Sequence, residues 1–148
     1  MTQTLDRDWI LARIPHQGVM CLNDAVESWD RDSLTCTAWS HRSVENPLRL
    51  EDRLSALMGI EYAAQAVAIH GALQGSGAAP GMLGSVRGLT CDCDRLDSVA
   101  GPLQVRVHRL GGDASALLYD FELHGDGRRL MSGRLTIVLA IPCQATGR

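Results

Sequence analysis

Aromatic side chains are nearly absent from this sequence: three Trp, two Tyr and one Phe are all it has in 148 residues. Stacked rings cannot build its core, so Leu, Val, Ile, Ala and Met must. Long apolar runs are missing too, and no segment approaches the roughly 18 uninterrupted apolar residues of a membrane-spanning helix. The first residues carry Asp6, Arg7, Asp8 and Arg13 where a secretory signal would need an apolar stretch of about 7–15 residues. A cytoplasmic protein with no membrane partner is the expectation. Basic charge is not in excess: 14 Lys and Arg face 17 Asp and Glu, for a net charge of −3. Nucleic acid is therefore not an expected partner, since its phosphates select for a basic patch.

Chemical motifs are also scarce. No Gly-X-Ser-X-Gly elbow occurs, and Gly75-Ser76-Gly77 reads as a flexible loop rather than a nucleophile turn. No glycine-rich run ends in Gly-Lys-Ser or Gly-Lys-Thr to cradle a phosphate. The cysteines Cys21, Cys36, Cys91, Cys93 and Cys143 lie among apolar residues and read as buried reduced thiols. Cys91 and Cys93 enclose a single residue, whereas a thiol redox motif or a zinc half-site encloses two. No metal and no redox cofactor is expected.

What is present suits one domain over residues 1–148, with 143–148 as a flexible tail. A chain of this length buries about 68–70% of the surface its unfolded form exposes, enough for a core without disulfides or metal. A short helix from Asp8 to Ile14 stops before Pro15. Ala25–Trp29 and the alternating Leu34-Thr35-Cys36-Thr37-Ala38-Trp39 read as two strands joined by a turn at Asp30-Arg31-Asp32. Arg53–Leu73 is the one long helix, and Gln74–Gly81 breaks it. Met82–Cys93, Leu103–Leu110, Ala116–His124 and Leu130–Ile141 then read as four strands in a meander, with hairpin turns at Gly111-Gly112-Asp113 and Gly125-Asp126-Gly127. The helix is apolar on every side apart from Glu61, Gln65 and His70, so it needs cover all round. One antiparallel sheet wrapped around one central helix, an α+β arrangement, supplies that cover.

A carboxyl on so apolar a helix attracts attention, because burial disfavours its charged form and suits it to proton transfer near neutral pH. Glu61 is the first candidate for acid/base work; the competing reading pairs it with Arg87 or Arg134 as a structural ion pair. Gln65 lies four residues on and shares its face. His70 is nine positions from Glu61, on the opposite side of the helix, and reads as structural. His108 and His124 fall on outward strand positions. His16 and His41, in or next to loops, stay open as partners for Glu61. Gly84 marks either a close backbone approach within the fold or a ligand.

Several segments together resemble the hotdog-fold 3-hydroxyacyl-acyl-carrier-protein dehydratases, and within them the dehydratase-like proteins of aryl polyene biosynthesis clusters. Ile14-Pro15-His16-Gln17-Gly18-Val19-Met20-Cys21-Leu22-Asn23-Asp24 is similar to the family's Leu-Pro-His-Arg segment. Gly59-Ile60-Glu61-Tyr62-Ala63-Ala64-Gln65 resembles the start of its central helix, Gly84-Ser85-Val86-Arg87 the strand lining its acyl tunnel, Gly101-Pro102-Leu103 its Pro-Gly-Asp-X-Leu segment, and Gly133–Leu139 its last strand.

The resemblance implies loss of water from a 3-hydroxyacyl thioester, with a His as base and a carboxylic acid protonating the leaving hydroxyl. It assigns the acid to Glu61 and substrate contacts to Asn46, Gln65, Gly84 and Ser85. It further implies an acyl carrier protein partner, phosphopantetheine entering with the substrate rather than as a resident cofactor, and a homodimer or a heterodimer with another hotdog subunit. The sequence departs from the family at one point. The usual Gly-His-Phe-Pro segment, fourteen residues before the carboxylate, is missing, and Pro47 stands there instead. His16, in the matching first segment, is the favoured base and His41 the second. Two other readings fit the departure: a thioesterase on the same fold needing only Glu61, and a degenerate subunit supporting an active dehydratase.

Overall fold

The computed structural model describes residues 5–75 and 81–139; the expected tail at 143–148 and Cys143 lie outside the described residues. Helix α1 (Arg7–Leu11) is capped by Asp6, whose side chain accepts from the Trp9 amide, and strands β1 (Ala25–Trp29) and β2 (Ser33–Ala38) form the first hairpin. Helix α2 (Gly59–Leu73) leads to β3 (Gly81–Cys91), β4 (Leu103–Gly112), β5 (Ala116–Gly125) and β6 (Arg128–Leu139).

All six strands join one antiparallel sheet in the order β1-β2-β4-β5-β6-β3. The expected four-strand meander is therefore corrected. Only β4, β5 and β6 follow one another; β3 lies beyond β6 at the far edge, and β4 pairs with β2 instead. A helix laid across the sheet carries the chain from one edge hairpin to the other edge, and local alternation cannot report that crossing.

Registered rows of side chains make the wall of the core. Leu34, Val107, Phe121 and Gly133 pair in succession from β2 to β6, and Cys36, Val105, Leu123 and Met131 form the next row. The helix sits close on this second row. A Cβ on Gly59 would lie 2.8 Å from Leu123 Cδ2 and 3.2 Å from Met131 Sδ, so glycine is what permits the approach. Gly133 in the first row leaves room for Phe121, whose Cε1 a Cβ there would meet at 2.9 Å.

The helix begins later than the apolar pattern predicts. Residues 53–55 are drawn into bridges, Leu50 with Arg53 and Ser55 with Arg95, and Ser55 caps a 3₁₀ turn, Ala56–Met58, that leads into α2. Past the Gln74 C-cap, Gly75 adopts φ +70°, the left-handed stop common at helix ends. Cover is also incomplete: Tyr62, Ala63, Gln65, Ala66, Val67, Ile69 and His70 are buried, while Glu61 is exposed and Ile60, Ala64 and Ala68 are only partly covered. These residues, with Leu57 at 51% exposure, form one open stripe. Among the thiols, Cys21 and Cys36 are buried as expected, but Cys91 is exposed and Cys93 half-buried, because β3 is an edge strand with an uncovered face. No described helix is long and apolar enough to cross a membrane.

Candidate active site

A directed chain of hydrogen bonds holds the loop after β2 against the first turn of α2. Ser40 Oγ donates to the Leu22 carbonyl at 2.7 Å, so its proton is occupied and the Tyr62 hydroxyl must donate to Ser40 Oγ, also at 2.7 Å. Asn46 Nδ2 donates to the Tyr62 oxygen at 3.1 Å and to the Ser40 carbonyl at 3.0 Å, and its Oδ1 accepts from the Leu48 amide at 2.8 Å. Burial pushes the Tyr62 phenol up to about 12, so it stays a neutral donor. His41 follows Ser40 and Glu61 precedes Tyr62. Both candidates thus stand one residue from the Ser40–Tyr62 bond.

The imidazole of His41 is fully buried in the 3₁₀ turn Ser40–Arg42. Its Nε2 lies 3.1 Å from the Val99 carbonyl and 2.9 Å from the Gly101 carbonyl. Carbonyl oxygens only accept, so Nε2 carries the hydrogen and Nδ1 the lone pair. That Nδ1 is buried and has no hydrogen-bond partner. Burial, the largest influence, lowers the pKa of this histidine against the opposing pull of the two carbonyls. The ring is neutral, with its tautomer fixed and its basic nitrogen free.

His16 is half-buried, and its Nδ1 also lacks a partner. No hydrogen bond fixes its ring. The segment around it is held instead by Gln65, which accepts from the Leu22 amide at 2.9 Å and donates to the Met20 carbonyl at 2.8 Å. Gln65 is 2% exposed. Its amide bridges the Leu22 and Met20 backbone, and Asn46 ties the Ser40 carbonyl, the Leu48 amide and the Tyr62 hydroxyl; these are the bonds the structure shows for two residues expected to contact substrate. Glu61 differs from expectation in being exposed, and it pairs with neither arginine: Arg134 is bound to Asp120 at 2.8 Å. Gly84 is a bulge in β3 opposite β6, where a Cβ would lie 2.7 Å from Val138 Cγ2; close approach within the sheet accounts for it. Ser85, beside it, is half-buried on the same edge strand.

The remaining histidines are structural. His70 is buried and donates from Nε2 to the Asp30 carbonyl at 2.9 Å, while its Nδ1 lies 2.7 Å from the Tyr119 hydroxyl. His108 bonds Ser33, and His124 meets Glu122. Among the described residues, no group of three or more His, Cys, Asp or Glu side chains gathers as a metal site.

A six-stranded antiparallel sheet wrapped around one long helix defines a protein of the hotdog class. The chain belongs to the ApeP-like family, described as ApeP dehydratase, whose profile matches residues 10–145. Among solved structures, the dehydratase heterocomplex ApeI:P from Xenorhabdus doucetiae is similar over 89% of this chain and 91% of the matched one, at 24% identity and a TM-score of 0.77. A mutant thioesterase, PA1618 from Pseudomonas aeruginosa, is similar over 78% and 79%, at 16% identity and a TM-score of 0.55. An HP0420 homologue from Helicobacter felis matches over 90% and 88%, at 10% identity and a TM-score of 0.62. No curated protein matches the chain.

Proposed function

We propose that this protein removes water from a 3-hydroxyacyl thioester delivered on an acyl carrier protein, with His41 as base and Glu61 as acid. The observation that carries the reading is the state of His41: a neutral buried imidazole whose Nε2–H is anchored by Val99 and Gly101 and whose Nδ1 lone pair has no partner. In this mechanism Nδ1, unpartnered but shielded from solvent in the free chain, is uncovered as substrate binds and takes the proton from the carbon next to the thioester. The released electron pair forms the carbon–carbon double bond as the bond to the hydroxyl breaks, and Glu61 gives that oxygen its proton. Enoyl thioester and water leave, and the proton on His41 passes back to Glu61 through water entering the vacated site. Phosphopantetheine enters as part of the substrate.

A second hotdog subunit belongs to this proposal. The open stripe at Leu57, Ile60, Glu61, Ala64 and Ala68 and the edge of β3 that pairs with no described strand are surfaces a partner chain would cover, and such a partner would dry the site around Glu61. The relative from Xenorhabdus doucetiae is itself described as a heterocomplex.

The test is turnover of a 3-hydroxyacyl carrier-protein thioester by the assembled protein, followed by enoyl absorbance and by free thiol. His41→Ala and Glu61→Gln are expected to lose at least about 100-fold in rate, the low end of what positioned acids and bases contribute, while His16→Ala retains activity. Loss with His16→Ala and retention with His41→Ala would return the base role to His16. Thiol release from both hydroxyacyl and saturated substrates would instead identify a thioesterase. Activity of an assembly indifferent to Glu61→Gln in this chain would mark it as a supporting subunit.

A further inference from the structure

We infer that Asp126 is a positioning residue for His41, acting through the single peptide group that lies between them. Val99 and Ala100 share that group. Its carbonyl oxygen accepts from His41 Nε2 at 3.1 Å, and its N–H donates to Asp126 Oδ2 at 3.2 Å. The other carboxylate oxygen, Oδ1, accepts from the next amide, Gly101, at 3.1 Å, and the Gly101 carbonyl is the second acceptor for His41, at 2.9 Å. Imidazole and carboxylate therefore grip the same turn from opposite ends.

A peptide group is delocalised from its nitrogen to its oxygen. A carboxylate drawing on the N–H end enriches the carbonyl end, and hydrogen bonds in series strengthen one another. When Nδ1 of His41 accepts a proton, the charge of the imidazolium is met at Nε2 by carbonyls that Asp126 has already polarised. This is the part a third group plays in orienting a base, carried out here across a peptide rather than by direct contact. Asp126 stays ionised in that part, because the Gly101 and Ala100 amides hold its carboxyl below the usual carboxylate range. The other charges at His41 are the Arg42 guanidinium, which disfavours the imidazolium, and Arg49, whose Nη2 donates to the His41 carbonyl at 3.1 Å.

The local sequence is built to deliver this carboxylate. Asp126 has φ +52° and Gly127 φ +76° in the β5–β6 turn, a left-handed pair that few residues other than Gly, Asn and Asp accept. Gly125, before them, is buried, and a Cβ there would lie 2.8 Å from Val99 Cγ1. Its absence lets the turn close on residues 99–101.

The inference rests on His41 as the base, and its test separates the two. Asp126→Asn keeps the shape, one acceptor oxygen and tolerance of the left-handed turn; it removes the charge and turns one of the two acceptors of the Ala100 and Gly101 amides into a donor. In the assembled protein, NMR titration of His41 is expected to show a lower pKa in this variant. The acidic limb of kcat/KM then moves to lower pH, and kcat falls about threefold to fivefold, the range an exposed charge commands, with KM unchanged. Asp120→Asn, which removes a carboxylate bound to Arg134 on another part of the sheet, leaves His41 where it was. An unmoved His41 titration in Asp126→Asn overturns the inference, even if the melting temperature drops, since that is the signature of a purely structural cap. If the titration moves but His41→Ala retains full activity, the coupling of Asp126 to His41 stands and the base assignment falls.

Discussion

Gln65 shows how a single side chain four residues from Glu61 can do the work of a fastener. Its oxygen and nitrogen reach the backbone at Leu22 and Met20, tying the segment that carries His16 to the central helix. Gln65→Ala strands a buried amide and leaves a carbonyl short of a partner, which costs about 2–4 kcal/mol for the pair. Denaturant melts should show that loss directly. Tyr62→Phe is milder, about 1–2 kcal/mol, because Asn46 keeps its second bond to the Ser40 carbonyl. The family resemblance implied that Gln65 works on substrate, while its spacing from Glu61 implied only a shared helix face; Glu61 is exposed and Gln65 2% exposed. What spacing cannot report is which way each polar group is used, since that depends on a loop more than forty residues away in sequence.

Asp97, in the segment between β3 and β4, links elements in a way that makes stability depend on acid. It accepts from the Leu54 amide at 2.9 Å and pairs with Arg95, and the Arg95 guanidinium first, with Leu54 assisting, holds its carboxyl well below the usual range. A folded-state pKa below the unfolded value of about 3.9 means that this stabilisation is complete above that pH and is lost as pH falls through the folded value. Asp97→Asn should lower stability at neutral pH and flatten the decline on acidification below pH about 4, as urea melts across that window would reveal. The same link explains why the helix was legible and its start was not. The apolar run through Leu73 and the glycine after it are local signals, while Leu54 and Ser55 are held outside the helix by Asp97 and Arg95, partners some forty residues distant. The period-two pattern of Leu34–Trp39 was equally direct, and alternate residues of β2 are buried.

For the molecule as a whole, the sequence spoke most clearly through what its helix lacks. An apolar helix implied a wrapping sheet, and the sheet is there. Glu61 on that helix implied burial, yet it is exposed, because none of the described residues closes the stripe that bears it. Strand order was hidden for a related reason: whether a strand is central or at an edge is decided by elements that arrive later, and β3 shows it, with Gly84 bulged and its neighbours largely uncovered. Co-purification with a second hotdog chain should bury this stripe; hydrogen exchange over residues 57–68 and 81–91 is expected to slow on assembly, and equal exchange with and without the partner would count against such an interface.

An eleven-residue edge strand with Met82 71% and Leu83 39% exposed has a cost before any catalysis begins. Its outer amides and carbonyls, which pair with no described strand, form a template that any extended chain can join. Newly made copies that meet each other at this edge would add strand to strand and leave solution. Overproduced alone, the chain should partition into insoluble material in proportion to its surplus, and Leu83→Lys, which charges that edge, should return it to the soluble fraction while weakening assembly.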